Sequence, residues 1–392
     1  MKTLSTFALS AALAVAACSG SSPSEAAPGD TAALDASGAQ PAAPLADAPF
    51  TVEEVASFDE PWAMTFLPGG KQALVTEKAG KLKLWQADGP ILDVAGAPAV
   101  AYGGQGGFGD VILAPDFAAT GTVYLSWVEA GGSDTFGAVV GKAKLAQGAA
   151  PRLEGLDIIW KQDPKVPGRG HFSHRLTFSP DGQYLFIASG ERQKFDPAQD
   201  MTKNLGKLIR LKPDGSVPAD NPFAEKGGVT AQIWSLGHRN LLGLAFDGTG
   251  KLWQQEMGPR GGDEVNLVER GGNYGYPVVS NGDHYDGKDI PDHPTRPEFN
   301  APKLWWNPSI SPAGLAWYGG TLYPGWQNSL LMGALSGEGL IRMAIDGEAL
   351  HKSDRWDFGE RIREVEVNED GSVWLLTDGK DGRLVKLVPK DG

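Results

Sequence analysis

Leu176-Thr177-Phe178-Ser179-Pro180-Asp181-Gly182, followed by Tyr184-Leu185-Phe186-Ile187, runs from one apolar stretch through a tight turn into another. Strand side chains alternate between faces, and a Pro/Asp/Gly turn reverses the chain, so the segment reads as a β-hairpin. The same pattern occurs five more times. Ala63-Met64-Thr65-Phe66-Leu67-Pro68-Gly69 leads to Ala73-Leu74-Val75, and Asp110-Val111-Ile112-Leu113-Ala114-Pro115-Asp116 leads to Val123-Tyr124-Leu125. Leu244-Ala245-Phe246-Asp247-Gly248 precedes Leu252-Trp253, and Leu315-Ala316-Trp317-Tyr318-Gly319-Gly320 precedes Leu330-Leu331-Met332. Val365-Glu366-Val367-Asn368-Glu369-Asp370-Gly371 precedes Val373-Trp374-Leu375-Leu376.

The units recur every roughly 45 to 75 residues, in or somewhat above the range of propeller repeats. A four-stranded blade cannot bury both faces alone, so blades stack radially around a channel. The expected fold is therefore all-β, a six-bladed β-propeller of four-stranded antiparallel sheets. Phe50-Thr51-Val52-Glu53-Glu54-Val55 reads as a lone strand that completes the last blade beside Leu384-Val385-Lys386-Leu387-Val388 and closes the ring. A β-sandwich is the alternative, and six similar hairpins weigh against it. Twelve tryptophans and 53 glycines agree with a β-rich chain of many tight turns.

The N-terminus carries the compartment signal. Lys2 precedes an apolar run from Ala8 to Ala17 that is too short for a permanent span, so residues 1–18 read as a removable signal. The run ends in Val15-Ala16-Ala17-Cys18, which resembles a bacterial lipobox. Cys18 is the single cysteine and has no disulfide partner, so it is expected to be lipidated. Ordinary signal cleavage is the other reading. Residues 19–47, rich in Ala, Pro, Ser and Gly, are expected to be a flexible tether, with residues 48–392 as the folded domain. The chain is thus expected to be exported, facing the periplasm and anchored to the outer membrane through lipid alone. A net charge of −13 argues against nucleic-acid partners and against a polybasic membrane surface.

Five stretches place polar residues in loops between the blade patterns, where propellers build sites. Gly103-Gly104-Gln105-Gly106-Gly107 lets backbone approach a ligand, with Gln105 placed to orient it. Gly170-His171-Phe172-Ser173-His174-Arg175 offers histidines as proton acceptors. Gly237-His238-Arg239-Asn240 sets a guanidinium beside a carboxamide, suited to a carbonyl or a developing oxyanion. Gly258-Pro259-Arg260-Gly261-Gly262-Asp263-Glu264 and Asn273-Tyr274-Gly275 form an oxygen-rich setting of the kind calcium prefers. Arg361 and Arg363 project from one strand face. Each stretch also has an ordinary structural reading. Trp305 and Trp306, at the end of a long segment from Asn281 to Asn307, read equally as a sugar platform or as core.

In this order the stretches resemble the soluble pyrroloquinoline-quinone (PQQ)-dependent glucose/sorbosone dehydrogenases, also called aldose sugar dehydrogenases, from Pro61 through Val385. The resemblance implies an oxidoreductase that converts aldoses to lactones, passing electrons to an outside quinone or cytochrome. It implies His171 as general base for hydride transfer to the quinone, and Arg239 stabilising charge on the quinone oxygen. Asn240, Arg361 and Arg363 would bind the cofactor, and Gln105 the cofactor or substrate. The carbonyls of Gly258 and Pro259 would hold the Ca2+ that polarises the quinone, with Glu264 and Tyr274 near a second calcium. Trp306 is the other candidate substrate contact. Two positions depart from the pattern. Members with strong glucose activity carry an acid immediately before the base, where this chain has Gly170. A cofactor-binding lysine of some members falls near Ser336. A non-catalytic propeller binding sugar or protein at the cell surface, and a calcium-dependent lactonase, are the alternative functions.

Overall fold

The computed structural model describes residues 40–390. The expected signal, Cys18 and most of the expected tether lie outside the described residues. Six four-stranded antiparallel units stand in a ring, each entered at its innermost strand. Blade 1 runs outward through Pro61–Phe66, Gln72–Glu77, Lys81–Gln86 and Leu92–Val94. Blade 2 uses Phe108–Leu113, Thr122–Ala130, Thr135–Ala146 and Arg152–Lys161. Blade 3 uses Ser173–Phe178, Leu185–Ser189, Lys207–Leu211 and Ile233–Leu236, and blade 4 uses Leu241–Phe246, Leu252–Glu256, Asp263–Leu267 and Leu304–Trp306. Blade 5 uses Pro312–Tyr318, Ser329–Ala334, Gly339–Asp346 and Ala349–Asp357. Blade 6 takes Ile362–Val367, Val373–Thr377 and Gly382–Pro389, and its fourth strand is Phe50–Phe58. That strand pairs Phe50 with Pro389 and Glu54 with Val385, which closes the ring as the sequence leads one to expect. Each of the six turn motifs joins the first two strands of a blade. The chain is a six-bladed β-propeller.

Apolar burial is divided by repeat. Six clusters lie one between each pair of neighbouring blades, from Leu74 with Val111 around to Val75 with Leu376. Each blade face is thus covered by the next blade, and no single centre holds the core. Trp306, with no exposure, belongs to the cluster between blades 4 and 5. This decides its role against a sugar platform, since Asp263 pairs with it in the ladder and its ring has no free face. The chain also packs before residue 48. Ala43 and Pro44 pair in parallel with Trp356 and Asp357 on the rim of blade 5. Arg355 Nη1 donates to the Gln40 carbonyl at 2.9 Å. A small-residue stretch carries little periodicity, so this addition had no sequence signal. Among the described residues, no helix is long and apolar enough to cross a membrane.

All six inner strands break register at the same end. The shifts fall at Pro61/Ala63, Phe108/Val111, Ser173/Leu176, Leu241/Gly243, Pro312/Leu315 and Ile362/Glu364. A bulge bends its strand and re-aims the side chains beside it, so six bulges make one rim where side chains turn into the channel. Close approach there demands small residues. A Cβ at Gly109 would stand 1.9 Å from His174 Nδ1 and 2.8 Å from Ser126 Oγ. Gly109→Ala therefore forces the buried His174 ring from its place and is expected to cost about 1–3 kcal/mol. A chemical denaturation midpoint unchanged from the parent would show that the ring yields freely.

Candidate active site

The rim opens into a cavity of about 420 Å³, lined among others by Trp62, Lys78, Gln105, Asn240, Arg361 and Arg363. A second recess of about 270 Å³ is lined by His171, Glu191, Phe195, Arg239, Tyr276 and Tyr285, with His284 and Asp286 at its edge. Tyr285 borders both. Residues from all six blades, blade 5 through Ser311 and Leu335, therefore converge at one end of the channel. The floor forms where Trp62 and Ala63 of blade 1 meet Leu242 of blade 4 across the channel.

His171 sits in a strained loop held by buried charge. His171, Ser173 and His174 have φ of 49°, 60° and 52°, and Arg192, Gln193 and Phe195 of the facing loop have 65°, 57° and 62°. Each such conformation costs a non-glycine residue on the order of 1–3 kcal/mol and persists only where surroundings enforce it. Arg192 does much of the enforcing. Its fully buried guanidinium donates to the carbonyls of Gly170 at 2.9 Å, Phe136 at 2.5 Å and Gly168 at 2.5 Å, and lies over the Phe172 ring. Gln105 adds a second tie, its Oε1 accepting the His171 backbone N–H at 2.7 Å.

The orienting carboxylate for His171 is Glu191. Its Oε1 lies 2.5 Å from His171 Nδ1, and Oε2 accepts the N–H groups of Lys194 and Phe195 at 2.5 and 2.7 Å. Burial lowers the His171 pKa below 6.5, and the Glu191 hydrogen bond opposes that shift. Burial works to raise Glu191, but the His171 hydrogen bond, the Phe195 N–H and the Arg239 guanidinium outweigh it and hold the carboxyl below its ordinary range. The consistent assignment is a neutral imidazole with Nδ1–H donated to a carboxylate, leaving Nε2 as the acceptor. The missing acid at Gly170 is thus answered from another loop. A Cβ at Gly170 would fall 2.5 Å from Gln193 Oε1, so Gln193 occupies the space beside it.

Arg239 is buried next to this pair, its backbone N–H donating to Glu256 at 2.5 Å. Its Nη1 donates to the carbonyls of Met257 at 2.9 Å and Gly258 at 2.5 Å, and Nη2 reaches Tyr285 Oη at 3.3 Å. Among the described residues its buried Nε has no partner. Asn240 takes the Ser173 hydroxyl at 3.2 Å. Arg361 and Arg363 both bond Asp378, at 2.9 Å for the closest atoms of each. Around Gly258 a Cβ would lie 2.3 Å from the carbonyl oxygens of both Gly261 and Gly262, so glycine makes room for a crowd of backbone oxygens. The Pro259 carbonyl has only a distant contact, 3.5 Å from Ser309 Oγ. Glu264 is buried 3.5 Å from His293 Nε2, and burial pushes its carboxyl up. Tyr274 spends its hydroxyl on the Leu267 carbonyl and the Glu269 N–H, so only its backbone could serve a cation. Trp306 stays in the core, away from both cavities.

Residues 58–386 match the Glucose / Sorbosone dehydrogenase family. The chain belongs to that family. It is 39% identical to the aldose sugar dehydrogenase YliI of Escherichia coli (strain K12) over 341 residues, covering 85% of this chain and 91% of that protein. The crystal structure of the soluble aldose sugar dehydrogenase from Escherichia coli in its apo-form superposes with a TM-score of 0.82 at 38% identity, over 87% of this chain and 100% of the other. The PQQ-bound form of aldose sugar dehydrogenase from Streptomyces coelicolor gives 0.70 at 26% identity, over 86% and 98%.

Reading this family member by sequence missed Glu191 and Arg192. Their signal was present, since Gly190-Glu191-Arg192 sets two charges at the end of the apolar strand Leu185–Ser189. Replacing Glu191→Gln removes the influence that opposes burial, so His171 should titrate at lower pH than in the parent. Histidine ring resonances followed by NMR against pH measure this, and an unmoved midpoint would detach Glu191 from the His171 ring.

Proposed function

We propose that this member of the glucose/sorbosone dehydrogenase family is a PQQ-dependent aldose dehydrogenase that oxidises the anomeric carbon to a lactone. The observation that carries the reading is the His171–Glu191 pair beside Arg239, in a recess that adjoins a cation-lined slot. Kinship to aldose sugar dehydrogenases, one of them solved with PQQ bound, supports the cofactor and the sugar class. The residues present fit that cofactor. PQQ is a flat tricarboxylate, and the larger cavity offers Arg361, Arg363 and Asn240, with Arg239 Nε buried and unpartnered nearby. Calcium fits the oxygen cradle at Gly258 and Pro259, which supplies hard donors. Glu264, with the orphaned Asn266 Oδ1 close by, and the Tyr274 backbone are the proposed surroundings of a second calcium.

When bound, the quinone supplies a two-electron acceptor and calcium a Lewis acid. The chain supplies binding, orientation and proton transfer. His171 Nε2 takes the anomeric hydroxyl proton, so that the hydrogen on that carbon leaves with its electron pair. Glu191 fixes the ring and stabilises the imidazolium that results. Arg239 faces the charge that develops at the neighbouring oxygen. Gln105 holds the base loop through its carbonyl and keeps its amide for cofactor or substrate. In place of Trp306, the aromatic faces available to a sugar beside His171 are Phe195, Tyr276 and Tyr285. The electron acceptor is proposed to be an external quinone or cytochrome. The chain is proposed to work on the periplasmic side, held to the outer membrane through Cys18.

Adding PQQ and Ca2+ to the purified protein should give aldose-dependent dye reduction. Absence of quinone binding at micromolar concentration with calcium present overturns the reading. His171→Ala should lower kcat/KM by about 10²–10⁴. Because burial holds His171 below 6.5, the base is free at pH 7. The rate should then fall only on the acid side of pH 6.5, as the folded imidazole takes up its proton. A pH profile with its acid limb above 7 would assign the base to another group.

A further inference from the structure

The cation count of the larger cavity is smaller than its arginines suggest. Arg361 Nε and Arg363 Nη2 both bond the same carboxylate, Asp378, at 2.9 Å. Three groups therefore carry one net positive charge. Glu60, also in the lining, accepts the Tyr102 hydroxyl at 2.5 Å and adds a negative charge. Ser336, where some family members carry a lysine, bonds Ser311 Oγ at 2.8 Å and brings no charge. A tricarboxylate would meet a pocket close to neutral on this side.

Lys78 changes that balance. It lines the same cavity and, among the described residues, makes no ion pair. Its position is built. The Lys78 N–H donates to the Glu60 carbonyl at 3.0 Å, and its carbonyl accepts the Phe108 N–H at 2.9 Å. Those ties fix its backbone between the inner-strand starts of blades 1 and 2. A Cβ at Gly107 would lie 2.2 Å from the Lys78 carbonyl oxygen and 2.9 Å from its Cγ, so the glycine, with φ of 155°, leaves room for the lysine stem. The ammonium lies 5.6 Å from the Tyr102 ring centroid. Arg239 lines the adjoining recess on the blade 4 side, and the Asp378-bound arginines stand on the blade 6 side of the cavity. Lys78 stands in the sector between blade 6 and Gln105, which among the described residues has no other lining cation.

We infer that Lys78 binds a carboxylate of the anionic cofactor and takes over the charge that Ser336 does not supply. The inference rests on the proposed PQQ reading. A charge-assisted contact at a partly exposed site is worth about tenfold in affinity. Fluorescence titration of the full, calcium-loaded protein with PQQ reads it directly, without turnover. Lys78→Gln should raise Kd about tenfold, and Lys78→Arg should stay within about threefold of the parent. The difference should shrink between 50 and 500 mM NaCl, as screening weakens an exposed charge contact. Esterified PQQ, which lacks the carboxylates, should bind parent and Lys78→Gln alike. Thermal melts of the unloaded proteins should coincide, which separates lost binding from lost fold. Tight PQQ binding by the parent with a Lys78→Gln Kd within twofold overturns the role of Lys78 and leaves the PQQ reading standing. A parent that binds no PQQ overturns both.

Discussion

Closure of the ring is the constraint on which the site depends. The strand Phe50–Phe58 hydrogen-bonds to Gly382–Pro389, joining residues more than 300 apart in sequence. Only with this pair made do the inner strands of blades 6 and 1 stand side by side. Arg361, Arg363 and Asp378 come from blade 6, and Glu60, Trp62 and Lys78 come from the linker and first strands of blade 1. They share a cavity because the chain's two ends share a sheet. Loop-closure entropy grows only slowly with length, so so long a closure is supportable once two interblade clusters form around it.

The ring alone would give a smooth channel. The six aligned bulges, together with two loops of left-handed residues, convert its end into a site. Strain of this kind needs partners that over-determine it, and here they are buried and polar. Arg192 holds three carbonyls, Glu191 holds two N–H groups and an imidazole, and Glu256 holds His238 and the Arg239 N–H. A buried charge is stable only when its hydrogen-bonding capacity is met, so these ties also resist rearrangement. His171 and the Arg239 guanidinium are held by different blades and converge only because both frames are rigid.

The blade count and the closing strand were legible because hairpin alternation is local and repeated six times. His171, Arg239, Asn240 and Arg363 stood out as polar residues breaking apolar patterns, and the structure gathers them around two adjoining cavities at one end of the channel. Glu191 was harder to see. It lies twenty positions from His171, and only the packing of one loop over another brings its carboxylate to Nδ1. Trp306 was undecidable by pattern, since a Trp pair at a loop end serves a platform or a core equally. Its complete burial in the cluster between blades 4 and 5 settled it. The residues around 43–45 carried too little periodicity to show that they pack.

His174, next to the base loop, illustrates how neighbouring residues take different parts. Its ring is fully enclosed, stacks on Trp62 at 4.9 Å, and has Nδ1 2.9 Å from Ser126 Oγ. Burial, with Arg175 and Arg192 nearby, pushes it down to about 3, so it stays neutral wherever the protein is folded near neutrality. Arg175 also lies over the Trp62 ring, 4.2 Å from its centroid, and pairs with Glu364 and Asp110. Burial raises Glu364 to about 7 and Asp110 above its usual range, so this acidic group carries less charge than its composition suggests. The floor of the cavity is therefore an aromatic and nearly neutral plate over a compensated centre. A chain with a net charge of −13 can in this way hold a pocket whose local field is set by a few cations at the rim. Of the two acids lining that cavity, Asp378 is spent on Arg361 and Arg363, and Glu60 accepts the Tyr102 hydroxyl.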